Sequence, residues 1–213
     1  MKLFDCTLYL VTDRNISKHG DFENIVEEAI KGGCTLVQLR EKNIDTDLLY
    51  RRALSLKKIT DQYGVPLIIN DRIDIMQAVD AAGVHLGQSD MPVKIARKII
   101  GKNKIIGISA HTVEEAKEAE LCGADYLGAG ALFQTETKRN IKSITTDMLT
   151  NIKKSVSIPV VAIGGINAEN IMELKESGID GIAVSSAIMK SKTPKTAAVI
   201  LSCLLYTSDA ADD

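Results

Sequence analysis

The sequence predicts an α/β protein, a single (β/α)8 TIM barrel that spans residues 1–205. Short β-branched runs alternate eight times with longer amphipathic segments, a pattern typical of parallel strands joined by right-handed crossovers. Several of the apolar runs are continuous, as in strands that are buried on both faces. No shift in composition divides the 213 residues, and α/β barrels commonly reach this length as one domain.

The predicted strands are short runs dominated by Ile, Leu and Val. They cover residues 7–12, 35–40, 66–70, 84–87, 104–109, 126–130, 159–163 and 181–185. Helical periodicity fills the intervals, as in the stripe formed by Phe22, Ile25, Val26 and Ala29. The predicted helices cover residues 22–31, 46–63, 73–81, 92–100, 113–122, 145–155, 167–177 and 194–205. An open doubly wound sheet is the alternative, but eight sequential units favour a closed barrel.

Several predicted helices end in glycine just before the next strand. Gly33, Gly83, Gly123 and Gly178 occupy these positions, where a left-handed backbone commonly ends a helix. In a barrel these turns lie at the face opposite to the active site, so we expect functional residues in the loops that follow the strands. The end of the chain, residues 206–213, is small, acidic and unpatterned. We expect it to be disordered, and it has the character of a foreign tail.

Composition narrows the classes of function. The 26 basic and 28 acidic residues give a net charge of −2, so neither nucleic acid nor an anionic membrane is an expected partner. Without Trp, and with three Phe and five Tyr, the chain also lacks surfaces that stack single-stranded bases. The four cysteines form no CxxC pair and lie in or beside apolar runs, which indicates buried free thiols and a cytoplasmic protein. We expect no signal peptide and no membrane-spanning segment.

The second predicted strand ends in a polar, charged run. Alternation places Gln38, Arg40 and Lys42 on one side of the chain. If that side faces the barrel interior, two cations and an amide meet near its rim and suit a phosphorylated ligand. The alternative is a salt-bridge cluster with Glu41 and neighbouring acidic residues.

Two carboxylates follow neighbouring strands. Asn70 and Asp71 end the third strand, and Asp90 follows the fourth. With no His or Cys cluster nearby, the pair suits Mg²⁺, which typically binds one or two carboxylates together with substrate phosphate oxygens. The alternative is that each Asp caps the helix that follows it.

Further polar groups follow the remaining strands. Ser109 and His111 end strand five, and the loop after strand six carries hydroxyls with Lys138 and Arg139, which suits closure over a phosphate. An ordinary strand-end serine, a packed histidine and a solvated loop are the alternatives. His85, inside a strand, is interpreted as structural. Glycines after strand seven and serines after strand eight suit a phosphate site. The sequence therefore predicts two anionic subsites, a diphosphate with metal and a phosphate without it.

Taken in order, these motifs resemble the thiamine-phosphate synthase family over about residues 7–203. The motifs are LVTD (10–13), QLREK (38–42), IND (69–71), GVHLGQSD (83–90), GISAHT (107–112), TETK (135–138), AIGGI (162–166) and SSAI (185–188). The resemblance implies a transferase that joins hydroxymethylpyrimidine diphosphate to thiazole phosphate. Its products are thiamine phosphate and diphosphate.

The resemblance also implies roles for individual residues. Those that bind the pyrimidine diphosphate are Gln38, Leu39, Arg40, Glu41, Lys42, Asn70, Ser109 and Lys138, and the catalytic ones among them are Arg40, Lys42, Ser109 and Lys138. Those that bind Mg²⁺ are Asp71 and Asp90. Those that bind the thiazole phosphate are Thr135, Glu136, Thr137, Gly165, Ser185 and Ser186. No catalytic role is expected for Cys34, Cys122 or His111.

Two positions depart from the family pattern. Ser185 stands where the family usually has an aliphatic residue, and Gln134 stands where it frequently has Pro. Three other functions compete with the synthase: the related thiazole tautomerase, a noncatalytic phosphate-ligand barrel, and another barrel isomerase that would use His111 and Asp13. The charged residues at strand ends two to four favour the synthase over the tautomerase, which does not need a diphosphate site. A homo-oligomer is compatible with the sequence.

Overall fold

The computed structural model describes residues 4–16, 21–133 and 143–206, with Asn15 and Tyr206 described by backbone alone. Eight parallel strands form a closed barrel in sequence order, and the last strand pairs with the first. The strands are β1 (Leu8–Val11), β2 (Leu36–Leu39), β3 (Leu67–Asn70), β4 (Gly83–Leu86), β5 (Ile105–Ala110), β6 (Tyr126–Gly130), β7 (Val160–Ile163) and β8 (Gly181–Val184). The predicted (β/α)8 TIM barrel is confirmed.

Helices surround the barrel. They are α1 (Phe22–Lys31), α2 (Thr46–Gln62), α3 (Ile73–Ala78), α4 (Val93–Ile100), α5 (Val113–Leu121), α6 (Thr146–Ser155), α7 (Ser186–Met189) and α8 (Pro194–Tyr206), with 3-10 turns at Arg14–Ile16 and Ile171–Ser177. The helix predicted over 167–177 is thus a shorter 3-10 segment. The other predicted helices agree with the structure closely, because each carries a local apolar stripe.

Alternating residues of each strand belong to two different cores. Leu8, Leu10 and Val37 point outward and pack against the helices. Tyr9 and Leu36, one position away, point into the barrel. The inner core contains two tyrosines, Tyr9 and Tyr126, so the barrel interior carries hydroxyl groups as well as apolar side chains.

The glycine prediction is confirmed at three of its four positions. Gly33, Gly123 and Gly178 have positive φ, but Gly83 does not. Asp80 takes the left-handed backbone after α3 instead, at φ 50°. Gly83 begins β4, where a Cβ atom would lie 2.1 Å from the carbonyl oxygen of Ile105 on β5. Its role is close approach of two strands rather than a helix end.

The four cysteines, all among the described residues, form no disulfide, and Cys6 and Cys34 are buried as predicted. The prediction is wrong for Cys203, which is exposed because it lies on the face of α8 away from the buried Ala198 and Leu201. Cys122 is half-buried at the end of α5. Within residues 4–16, 21–133 and 143–206, no helix combines the length and apolar character needed to cross a membrane. The predicted tail lies outside the described residues from position 207 onward.

Candidate active site

An open cavity of about 630 Å³ lies at the carboxyl ends of the strands. All eight strands or the loops that follow them contribute to its wall. This is the face where the sequence predicts function, and the glycine turns lie at the other end of the barrel.

The side chains of residues 38–42, at the end of β2 and just after it, divide between two environments, as alternation predicts. Gln38, Arg40 and Lys42 line the cavity. Leu39 is buried in the outer core, and Glu41 borders a smaller hollow beside the cavity. Neither of these two side chains lines the main cavity, so a direct contact with substrate stays a prediction for both.

Glu41 pairs with arginines other than the neighbouring Arg40. Its carboxylate contacts the Arg52 guanidinium and lies 3.6 Å from Nε of Arg14. Arg40 forms no ion pair with any residue that the structure describes; its backbone N–H donates to Oγ1 of Thr12 at 3.1 Å. The salt-bridge cluster considered for this run therefore exists around Glu41 and leaves the Arg40 guanidinium available to a ligand.

Asp71 and Asp90 come together at the rim. Oδ2 of Asp71 lies 3.5 Å from Nζ of Lys42, and Oδ2 of Asp90 accepts a hydrogen bond of 2.7 Å from the backbone N–H of Gly87. Burial raises the pKa of Asp71, the hydrogen bond with Asp90 raises it further, and Lys42 opposes both effects. Two carboxylates in contact are stabilised by added positive charge, so the pair fits a divalent cation.

The donor set also fits the cation that the sequence predicts. Among the described residues, no three His, Cys, Asp or Glu side chains cluster as a metal site. Two carboxylates suffice for Mg²⁺, which keeps several water ligands and takes others from substrate phosphates. Neither α3 nor α4 has a side-chain cap, so the helix-capping alternative for the two aspartates is not supported.

A buried hydrogen-bond chain crosses the floor of the cavity. Nε2 of Gln38 lies 2.6 Å from Oη of Tyr9, which lies 2.8 Å from Oη of Tyr126. Oη of Tyr126 lies 3.0 Å from Nδ1 of His85, whose Nε2 lies 3.0 Å from Oγ of Ser109. The chain joins two predicted substrate-binding residues that stand on β2 and β5.

Three members of this hydrogen-bond chain were not predicted as site residues. From the sequence His85 was interpreted as structural, and neither Tyr9 nor Tyr126 was singled out. His85 is 8% exposed and lines the cavity. A signal was present, because Val84 and Leu86 point to the outer core and leave the intervening His85 facing inward.

The opposite wall comes from the loops after β7 and β8. Gly164 and Gly165 have φ of 108° and 68°, and the backbone of Gly164 approaches Ala131 so closely that a Cβ atom would lie 2.6 Å away. Ser185 and Ser186 also line this wall. Oγ of Ser185 is buried without a hydrogen-bond partner within the described part of the chain, and a bound ligand could satisfy it.

Some of the other predicted residues line this cavity, and the rest lie outside the part of the chain that the structure describes. Asn70, Ser109, Asp13 and His111 line the cavity, and Nδ1 of His111 lies 3.2 Å from Oε2 of Glu115. The remaining predicted positions lie outside the described residues: Gln134, Thr135, Glu136, Thr137, Lys138 and Arg139.

Fold and cavity together define a barrel enzyme for small anionic substrates. The family model of thiamine monophosphate synthase matches residues 8–188. The thiamine-phosphate synthase of Clostridium tetani is 55% identical over 196 residues, which cover 92% of this chain and 94% of that protein. That of Methanobrevibacter smithii is 55% identical over 197 residues, or 92% of this chain and 94% of that protein.

A solved structure supports the same relationship. The thiamine phosphate pyrophosphorylase from Pyrococcus furiosus superposes with a TM-score of 0.87 at 42% identity, over 95% of this chain and 96% of that chain. The chain therefore belongs to the thiamine monophosphate synthase family, and it is a transferase of thiamine phosphate synthesis.

Proposed function

We propose that this enzyme joins hydroxymethylpyrimidine diphosphate to thiazole phosphate and releases diphosphate. The observation that carries the proposal is the contact between Asp71 and Asp90 beside Lys42, with Arg40 on the same wall. A cavity with paired carboxylates and two cations at one edge suits a metal-bound diphosphate. The buried thiols of Cys6 and Cys34 in turn support a cytoplasmic enzyme.

In the subsite for the pyrimidine diphosphate, different residues bind the ring and the diphosphate. Gln38, Asn70 and Ser109 offer hydrogen bonds to the ring, and Arg40 and Lys42 offer positive charge to the diphosphate. Lys138, outside the described residues, would add a further cation. Mg²⁺ held by the two aspartates would supply charge neutralisation that makes diphosphate a better leaving group.

The second subsite holds the thiazole phosphate on the opposite wall. Gly165, Ser185 and Ser186 line the cavity there, and the buried Ser185 hydroxyl offers a donor. Thr135, Glu136 and Thr137 would complete this subsite from the loop after β6. With one anion held on each wall, the two rings meet between them.

The reaction then needs position and charge rather than a protein nucleophile. The C–O bond to the diphosphate breaks, and its electron pair leaves with the diphosphate. The electron-rich aminopyrimidine stabilises the methylene cation that remains, and the thiazole nitrogen adds to that carbon. Preorganised charge and orientation carry the rate. Burial raises the pKa of the Cys34 thiol to about 12, so this thiol stays protonated and takes no part.

The direct test is synthesis by the purified full chain. With both substrates and Mg²⁺, we expect thiamine phosphate and diphosphate in equal amounts, separated and measured by chromatography. Folded protein that binds either substrate without forming product would contradict the proposal and favour a noncatalytic phosphate-ligand barrel.

The metal assignment predicts a large effect of Asp71→Asn. Asp71 has φ 61°, and Asn tolerates this left-handed backbone as well as Asp does, so the fold should be retained. We expect turnover at limiting Mg²⁺ to fall about 100-fold, since a charge at the leaving group is lost. Asp74→Asn, on the exposed side of α3, is the matched control and should keep full turnover. Equal turnover of both variants across a Mg²⁺ titration would rule out the assignment.

A further inference from the structure

In the buried hydrogen-bond chain between Gln38 and Ser109, the number of hydrogens on the two tyrosine hydroxyls is fixed. Tyr9 and Tyr126 are 2% and 0% exposed, and burial raises the pKa of both phenols. Each therefore carries its proton and has one hydrogen to donate. Because a buried polar hydrogen without an acceptor is costly, each of these hydrogens is expected to point at the next group.

The direction of donation follows from the Gln38 end. Nε2 of Gln38 donates to Oη of Tyr9, so the Tyr9 hydrogen is directed to Tyr126. The Tyr126 hydrogen is then directed to Nδ1 of His85. With Nδ1 accepting, the neutral ring carries its hydrogen on Nε2 and donates it to Oγ of Ser109. The Ser109 hydrogen is left for the cavity.

The reverse direction leaves a hydrogen without an acceptor. If Ser109 donated to His85 and the ring donated to Tyr126, Tyr9 would accept from both Tyr126 and Gln38. Its own buried hydrogen would then have no acceptor among its hydrogen bonds to described residues. Only a Gln38 amide turned to place Oε1 against Tyr9 would remove this conflict.

Close packing around Tyr126 and His85 holds the hydrogen-bond chain in place. A Cβ atom on Gly107 would lie 2.1 Å from Cζ and 2.3 Å from Oη of Tyr126, so the phenol occupies the space that glycine leaves. Phe4 packs edge-on against the same ring with centroids 5.6 Å apart. A Cβ atom on Gly128 would lie 3.2 Å from Cε1 of His85. The positions of both rings are therefore set by the barrel itself.

On the proposed function, we infer that this chain selects the aminopyrimidine substrate by fixing which groups at the cavity floor donate and which accept. Oε1 of Gln38 accepts from the ring amino group, and the Ser109 hydroxyl donates to a ring nitrogen. An oxo analogue would present an acceptor to Oε1, and the site would reject it. Tyr9, Tyr126 and His85 are positioning residues that act through Gln38 and Ser109.

The first test needs neither substrate nor activity. The full chain, with nitrogen-15 in its three histidines, is examined by NMR at a pH where the His85 ring is neutral. The ring is assigned with the His19→Gln and His111→Gln variants. We expect the ring hydrogen on Nε2 of His85 and none on Nδ1, which accepts from Tyr126. A hydrogen on Nδ1 would overturn the inferred direction whether or not the enzyme makes thiamine phosphate.

The second test measures selection. Tyr126→Phe keeps the ring and removes one hydroxyl, so the KM for the aminopyrimidine diphosphate should rise about tenfold, while the KM for thiazole phosphate stays unchanged. The preference for the amino over the oxo substrate should fall by a similar factor. Tyr63→Phe is the matched control, because Tyr63 donates to Glu27 outside the barrel at 2.6 Å.

Two results of the second test would overturn the inference. One is an unchanged preference in a folded Tyr126→Phe protein, and the other is an equal rise in both KM values. A wild-type chain that binds the pyrimidine diphosphate but makes no product would contradict the proposed synthesis instead. In that case the amino and oxo diphosphates are compared by calorimetric binding, and equal affinities overturn the inference.

Discussion

Glu41 illustrates how a residue beside the site can act on the fold rather than on substrate. Its side chain is 7% exposed and lies between Arg14 and Arg52. Arg14 also stacks on the Phe22 ring, with its guanidinium carbon 4.4 Å from the centroid. These contacts join the loop after β2 to α1 and α2, and so hold the backbone that carries Arg40 and Lys42.

Glu41→Gln should therefore lower the free energy of unfolding. Removing the charge leaves Arg52 without its counter-ion in a partly buried place and leaves Arg14 with Glu23 alone, so we expect a loss of about 1–3 kcal/mol. Urea denaturation of the purified chain measures it. Asp47→Asn is the control, since its pair with Arg51 is exposed and should contribute less than about 0.5 kcal/mol. Equal losses in the two variants would contradict the structural role of Glu41.

Single residues differ in how far the sequence predicts them. Alternation places Gln38, Arg40 and Lys42 on the cavity wall, because that rule is local to one strand. The hydroxyls of Tyr9 and Tyr126 form hydrogen bonds with residues of other strands. In the sequence, an aromatic residue within an apolar run looks the same as any residue of the hydrophobic core. Pairing between distant strands is what the sequence alone does not display.

Helix boundaries were predictable because their signals lie within a few residues. Oγ1 of Thr112 accepts from the backbone N–H of Glu115 at 3.2 Å, and Oε2 of Glu115 accepts from the backbone N–H of His111 at 2.7 Å. These two hydrogen bonds fix the start of α5 at the edge of the cavity. The missing first turn of the predicted helix 167–177 has a local cause too: Oδ1 of Asn167 accepts from the N–H of Glu169 at 2.8 Å, which makes an Asx turn.

Thr112→Ala should destabilise the protein by about 1 kcal/mol, because the N-cap acceptor is lost. Thr150→Ala is a matched control in the middle of α6, where the hydroxyl of the half-buried Thr150 donates to the carbonyl of Thr146 at 3.0 Å. Alanine has the higher helix propensity there, so the control should change stability by less than about 0.5 kcal/mol. Thermal and urea unfolding of both variants provide the comparison, and a control that loses as much as Thr112→Ala would refute the capping role.

At the scale of the whole molecule, closure of the barrel depends on contacts between its first and last strands and helices. β8 pairs with β1, and α8 lies against α1. At Gly32 a Cβ atom would lie 2.4 Å from the carbonyl oxygen of Lys195 and 2.7 Å from Cβ of Ala198. The number of units and their resemblance to known barrels predicted this closure. The contact itself was not predictable, because it joins residues more than 160 positions apart.

Two truncations test where the folded domain ends. A chain that stops at Tyr206 keeps every described contact of α8, including the buried Ala198 and Leu201, so its unfolding midpoint should equal that of the full chain. A chain that stops at Thr193 uncovers the apolar face of α1 where α8 packs, and we expect it to lose cooperative unfolding, since large buried apolar area is removed. Circular dichroism during urea unfolding measures both. If the chain that stops at Tyr206 were destabilised as well, residues 207–213 would belong to the fold, and the domain boundary placed at 205 would be wrong.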